Sequence, residues 1–324
     1  MEKSIDRVQH ILERAKLGEL LDKADACALL GIPNHSREYF DLLYAANDYS
    51  RVSFQNRGMV FAQIGLDMQP CGINCRFCSF AKDTLSCRQP VIKSMEDTLA
   101  EAKLLVESGI DDLFLMTTAE FSQKAFLQYG KAVREIMPKH MRLVANVGDF
   151  DADYANRLKD CGFTGVYHIC RLREGVDTCA DPATRLHTMN AAKEAGLELY
   201  YCVEPIGPEH TDEELADEML RGRQYAVPVM AVMKRIPVPG TPLASNGEIS
   251  AATLAKICAV ATLVSRPMRA MCVHEPDELC LMAGANQLYA ECGSNPRDVK
   301  TETRDGRGFS VSQAKMMLSK TEWN

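Results

Sequence analysis

The sequence predicts an α/β fold, a parallel (β/α)8 barrel preceded by helices and closed by a final helix. Two observations carry this. After Gly58, helical segments that stop at glycine alternate with apolar runs of strand length, and these runs number roughly eight. The runs are dense in Val, Ile, Phe and Tyr with little polar alternation, as strands buried on both faces require. That count and order describe a TIM-type barrel. A doubly wound sheet shares the alternation, but no GxGxxG follows the first strand.

Taken in order, the chain first reads as helix in two stretches, "IDRVQHILERAKLGELLDKADACALLGI" and "REYFDLLYAANDYSRVSF". Residues 1–55 are therefore an N-terminal helical extension and 56–324 the barrel. "GMVFAQIGL" is the first strand. Four units then repeat a helix, a glycine and a strand: "AKLLVESG" with "IDDLFLM", "ANRLKDCG" with "FTGVYHIC", "AAKEAGL" with "ELYYCVE", and "ELCLMAGAN" with "QLYAEC". Gly109, Gly162, Gly196 and Gly284 are the expected left-handed stops. "MRLVANVG", "PVMAVMKRI" and "MRAMCVH" complete the strands. Ser94 with Asp97, and Thr211 with Glu214, carry the spacing that satisfies first-turn amides.

Composition narrows the class. The chain has 324 residues, 46% hydrophobic and 25% charged, enough to bury a large core. A net charge of -7 gives no basic surface for nucleic acid or membrane. No apolar run approaches a membrane span, and "MEKSIDRVQHILERAK" lacks the apolar centre of a signal peptide. Thirteen cysteines in such a chain fit a reducing cytoplasm, where thiols serve metals or chemistry.

Three of those thiols stand together in "PCGINCRFCSF", at Cys71, Cys75 and Cys78. A structural zinc site normally has four protein ligands. A ferredoxin run repeats the two-residue gap and adds a fourth cysteine before proline. A redox motif needs only CxxC. Three thiolates suit a [4Fe–4S] cluster whose fourth iron is left open to a small molecule.

CxxxCxxC just after a first barrel strand resembles the radical S-adenosylmethionine (SAM) superfamily. The resemblance implies that the open iron chelates the methionine part of SAM and that the reduced cluster cleaves the sulfonium to a 5′-deoxyadenosyl radical. Phe77, beside the last cysteine, would then shield the cluster. "RIPVPGTPLA", "LMAGANQLYAECGSNPRD" and "GRGFSVSQAKMMLSKTEW" are similar to the second half of biotin synthase and its relatives. That likeness implies sulfur insertion into dethiobiotin, with flavodoxin or ferredoxin as electron donor and a homodimeric assembly.

One departure stands out. Biotin synthases hold an auxiliary [2Fe–2S] cluster on three strand cysteines and an arginine. Here the cysteine positions fall on Leu115, Val144 and Tyr201, with Cys202 one residue away, while Arg269 matches the arginine. Other strand cysteines, Cys170, Cys202, Cys272 and Cys292, would form a different auxiliary iron–sulfur cluster if all point inward. Arg269 and Cys272 differ in parity and should face opposite sides of an ideal strand. Cys27, Cys161, Cys179, Cys258 and Cys280 read as structural, and Cys87 is unassigned.

Barrel chemistry belongs at the C-terminal ends of the strands. The resemblance places SAM contacts on Thr117, Thr118 and Glu120 after the second strand and on Arg173 and Glu174 after the fourth. Gly207 and Glu209, after the fifth, are the adenine-site candidates. Asn146 and His168 would point inward and read the ureido ring of the substrate. Other readings are a hydrogenase-maturase-like or methylornithine-synthase-like enzyme without sulfur insertion, and a non-catalytic iron–sulfur or zinc module.

Overall fold

The computed structural model describes residues 2–84, 90–290 and 309–324. It opens with helices α1 (Glu2–Lys16), α2 (Lys23–Leu30) and α3 (Arg37–Ser53). The first expected helical stretch is thus broken in two. Gly18 takes φ +93°, and Asp22 starts α2 with a reciprocal capping box to Asp25.

Strand β1 (Met59–Gly65) is followed by a small antiparallel pair, β2 (Asp67–Met68) and β3 (Val91–Ile92). The alternating units come next: α4 (Met95–Glu107), β4 (Asp112–Met116), α5 (Gln123–Ile136), β5 (Arg142–Asn146), α6 (Ala152–Asp160) and β6 (Gly165–Tyr167). They continue through α7 (Pro182–Glu194), β7 (Glu198–Ile206), α8 (Asp212–Gln224), β8 (Val229–Lys234), α9 (Ala251–Ser265) and β9 (Ala270–Val273). Short α10 (Glu278–Leu281), β10 (Gln287–Ala290) and α11 (Val311–Lys320) complete the circuit.

Eight parallel strands close into a barrel in chain order, with β1 bonded to both β4 and β10. All eight expected strands are present. The four glycine stops carry φ between +73° and +106°, and Thr211 and Glu214 form a complete capping box. Helix α9 is apolar almost all round because α2 and α3 cover the side turned away from the barrel. The N-terminal extension therefore acts as a second layer over one arc of the helical ring.

Pleating alternates the strand side chains, and the inner set builds two layers. At the N-terminal end, the floor is ionic. Arg269 bonds Asp112 (3.1 Å), Glu198 (2.9 Å) and the Tyr200 hydroxyl (2.6 Å), and Gln287 donates to Asp112 (2.9 Å). Above it lie aromatic rings. Phe61 meets Phe114 at 4.5 Å and Tyr289 at 4.9 Å, and Phe114 meets Tyr200 edge-on at 5.2 Å.

The expected parity of Arg269 and Cys272 does not hold. Both face inward, because Arg269 precedes β9 at an irregular start where the amides of Arg269 and Ala270 donate to one carbonyl, that of Pro228. Among the described residues, no helix is long and apolar enough to cross a membrane.

Candidate active site

The mouth of the barrel, at the C-terminal ends of the strands, holds a cavity of about 390 Å³ lined by Cys71, Cys75 and Cys78. Backbone bonds shape the loop that carries them. The Cys71 amide donates to Phe80 O (2.8 Å), Lys82 N to Cys71 O (3.1 Å) and Cys78 N to Cys75 O (3.1 Å). The loop is also tied to two neighbours: Arg76 N donates to Asp177 O (2.9 Å), Cys179 N to Ile73 O (2.7 Å) and Leu243 N to Arg76 O (3.1 Å). Glu120 accepts from the Gly72 amide (2.9 Å), and a Cβ at Gly72 would stand 2.4 Å from that carboxylate.

The donor set fits a cluster. Burial pushes the Cys75 thiol up to about 12 and raises that of Cys78, while the Arg171 cation opposes the rise in both. A bound metal would supply the compensating charge that these thiolates need. The three sulfurs are not gathered tightly enough for a single ion to meet all three. Such a spread suits separate corners of a [4Fe–4S] cube better than one zinc ion.

Next to the thiols lies a charged network of which the sequence reading had named only Glu174. Arg171 Nε stands 3.3 Å from Glu204 Oε1, and its Nη1 is 3.6 Å from Glu174 Oε2. Arg185 bridges Glu174 (3.4 Å) and Asp149 (3.2 Å). The Tyr167 hydroxyl donates to Glu204 (2.5 Å). Burial alone would lower the Arg171 pKa, but Glu204 and Glu174 outweigh it and hold the guanidinium charged. Burial raises the Glu204 pKa against the pull of Arg171. The cavity thus presents two cations, suited to carboxylates, beside the Glu204 and Glu275 side chains.

The residues expected around SAM divide. Thr117 and Thr118 line the cavity, and Thr118 is anchored on Asp67 through its amide (2.8 Å) and hydroxyl (2.5 Å). Glu120 braces the cysteine loop. Glu174 is buried behind Arg171, where it also accepts from Thr178 (2.5 Å). Arg173 does not line the cavity. Its φ is +56°, and its Nε is 3.4 Å from Asp177. That left-handed turn breaks the loop's alternation, so Arg171 takes the place expected for Arg173. Phe77 is half-buried away from the lining, where Phe80 stands instead.

Gly207 and Glu209 form a separate unit. The Arg235 guanidinium packs over Gly207, where a Cβ would meet it at 2.4 Å, and makes a two-pronged pair with Glu209 whose longer arm is 3.0 Å. Neither residue lines the cavity. Burial alone would raise the Glu209 pKa, but the Arg235 bonds bring it down to about 2 from 4.5. A depressed carboxylate stabilises the fold above its unfolded pKa and loses that contribution as pH falls through its folded value. Glu209→Gln is expected to remove about 2 kcal/mol at pH 7 and to flatten the loss between pH 4.5 and 2, read by urea unfolding across pH.

Asn146 ends β5 on the cavity wall and donates to Gln63 Oε1 (3.0 Å), as its expected inward position requires. His168 does not face the cavity. It lies just beyond β6, 3.0 Å from Asp149 and packed on Phe150, as a satisfied core histidine. Its parity is opposite to that of Tyr167, which takes the inward place.

Of the four cysteines expected to share an auxiliary cluster, the three within the described residues, Cys170, Cys202 and Cys272, do not converge. Cys202 and Cys272 occupy one inner layer but are separated by Ala231 on the intervening strand. Cys170 lies in the field of Glu218 and Arg221 of α8, and its carbonyl accepts from Tyr201 OH (3.2 Å), on the outer side of the wall. Cys292 and Cys87 lie outside the described residues. Arg269 is committed to the ionic floor.

The comparisons agree with this geometry. Residues 68–221 match the model of the radical SAM superfamily. Biotin synthase of Persephonella marina (strain DSM 14350 / EX-H1) is 26% identical over 261 residues, covering 78% of this chain and 76% of that protein. Biotin synthase of Buchnera aphidicola subsp. Acyrthosiphon pisum (strain 5A) is 23% identical over 290 residues, 83% of each. In fold, the chain is similar to methylornithine synthase (PylB), with TM-score 0.81, 18% identity and coverage of 96% and 95%. It is also similar to the FeFe-hydrogenase maturase HydG from Carboxydothermus hydrogenoformans, with TM-score 0.80, 18% identity and coverage of 98% and 79%. With its three-cysteine loop set at the mouth of a (β/α)8 barrel, this chain matches the radical SAM superfamily over residues 68–221 and resembles biotin synthase.

Proposed function

We propose that the enzyme inserts sulfur into dethiobiotin to give biotin. The observation that carries this reading is the likeness to biotin synthases over about four-fifths of the chain. A [4Fe–4S] cluster on Cys71, Cys75 and Cys78 with SAM beside it would supply a radical able to take hydrogen from an unactivated carbon. The chain's own residues do the positioning. Arg171 and Arg185 offer guanidinium forks for carboxylates, of which both SAM and dethiobiotin carry one. The Asn146–Gln63 amide pair presents donors and acceptors of the kind a ureido ring needs. Phe61, Tyr289 and Met233 give the cavity an apolar wall that excludes water from the reacting carbons.

A second reading is radical chemistry on another substrate without sulfur insertion. The separation of Cys170 from Cys202 favours it, because the expected sulfur-bearing cluster loses its assembled ligand set. Incubating anaerobically reconstituted protein with reductant, SAM and dethiobiotin separates the two. Biotin in the mass spectrum is the expected result. Deoxyadenosine without biotin supports the second reading.

A further inference from the structure

One group of metal-ligating side chains lies apart from the cysteine loop. Cys202, Glu204 and His274 bring a thiol, a carboxylate and an imidazole together with all ligand atoms within 4.8 Å. The strands dictate the meeting. Cys202 and Glu204 are two residues apart on β7 and share its inner face. His274 follows β9, two residues beyond inward-facing Cys272. Ala231, on the strand between, is small enough to leave the gap open.

The imidazole is the unexplained member. It stands among aromatic rings, with centroids of Phe61, Tyr167 and Tyr289 at 5.4, 5.6 and 6.0 Å. It is partly exposed to the main cavity, and among the described residues no side chain or carbonyl is bonded to either ring nitrogen, which leaves them available to a ligand. Neutral imidazole is also the form that binds metal.

We propose that Cys202, Glu204 and His274 hold one divalent transition-metal ion of the zinc, iron or cobalt class in the barrel interior. A thiolate with an imidazole selects such metals over magnesium or calcium. Cys202 as thiolate and Glu204 as carboxylate carry two negative charges, which a divalent ion neutralises, and the thiol proton leaves as the metal enters. Tyr167 and Arg171 hold the two Glu204 oxygens, and each oxygen keeps a second lone pair for the ion. Three protein ligands leave one position open, as in catalytic rather than structural sites. Glu204 and His274 both line the main cavity, so that position receives a donor atom from whatever the cavity binds. A four-cysteine cluster is not needed for this, and the inference stands whichever substrate reading holds.

Cobalt(II) is the probe. In a chain with Cys71, Cys75 and Cys78 all changed to alanine, anaerobic titration is expected to load one cobalt per chain. A sulfur-to-cobalt charge-transfer band in the near ultraviolet should accompany it. The intact chain holding its iron–sulfur cluster should take up one cobalt in addition. Cys202→Ser is expected to abolish the band. His274→Gln, which keeps the thiol and the shape, should keep a shifted band with binding at least about tenfold weaker. Cys272→Ser should leave both band and affinity unchanged. No cobalt uptake by either form of the chain would overturn the proposal, as would a band that survives Cys202→Ser or vanishes with Cys272→Ser.

Discussion

Cys75→Ala is expected to reduce 5′-deoxyadenosine formation from SAM by on the order of a thousandfold or more. Cys75 is the most deeply buried of the three loop thiols, and burial pushes it up to about 12. A thiol so placed is ionised only by a metal, so its loss removes a ligand that no neighbour replaces. Iron after anaerobic reconstitution should fall by about four atoms per chain, the content of one cubane. Cys179→Ala is the matched control, because that cysteine is exposed and meets the loop through its backbone amide. Deoxyadenosine at the unmutated level from Cys75→Ala would remove the basis for assigning the loop to SAM cleavage.

The largest effect on stability is expected at the opposite end of the barrel. Arg269→Met leaves Asp112, which is fully buried, beside Glu198 without its cation. Removing one partner of a buried pair costs about 3–5 kcal/mol, because the remaining charge stays desolvated. Denaturant unfolding should show that loss, and Asp112→Asn in the Arg269→Met background should recover part of it. Iron bound at the cysteine loop should be unchanged in the folded fraction, since the aromatic layer separates floor from mouth. Loss of iron without loss of stability would instead make Arg269 a ligand.

The barrel was legible because its signals are local. Gly109, Gly162, Gly196 and Gly284 end helices by their own backbone preference, and each following apolar run is a strand buried on both faces. The cysteine loop was legible from spacing alone. Side chains beyond the strand ends were harder, because alternation fails where the backbone turns. Arg173 enters a left-handed turn, which gives Arg171 the cavity. Arg269 precedes its strand, and His168 follows one. Counting by twos from Cys202 would have found Glu204. His274 needed the three-dimensional neighbourhood of β7, since it stands 70 positions beyond Glu204 with β8 between their strands.

The ties of Ile73 and Arg76 to Cys179, Asp177 and Leu243 run through peptide groups. Every amino acid except proline offers the same amide, so these particular ties do not depend on the side chains at Ile73 and Arg76. Ile73 is therefore open to redesign, whereas Gly72 is fixed by its approach to Glu120 and Asn74 by its φ of +50° and its bond to the Asp83 amide (3.2 Å), so a graft of this segment onto another barrel would need those two residues together with matching carbonyls and amides on the host.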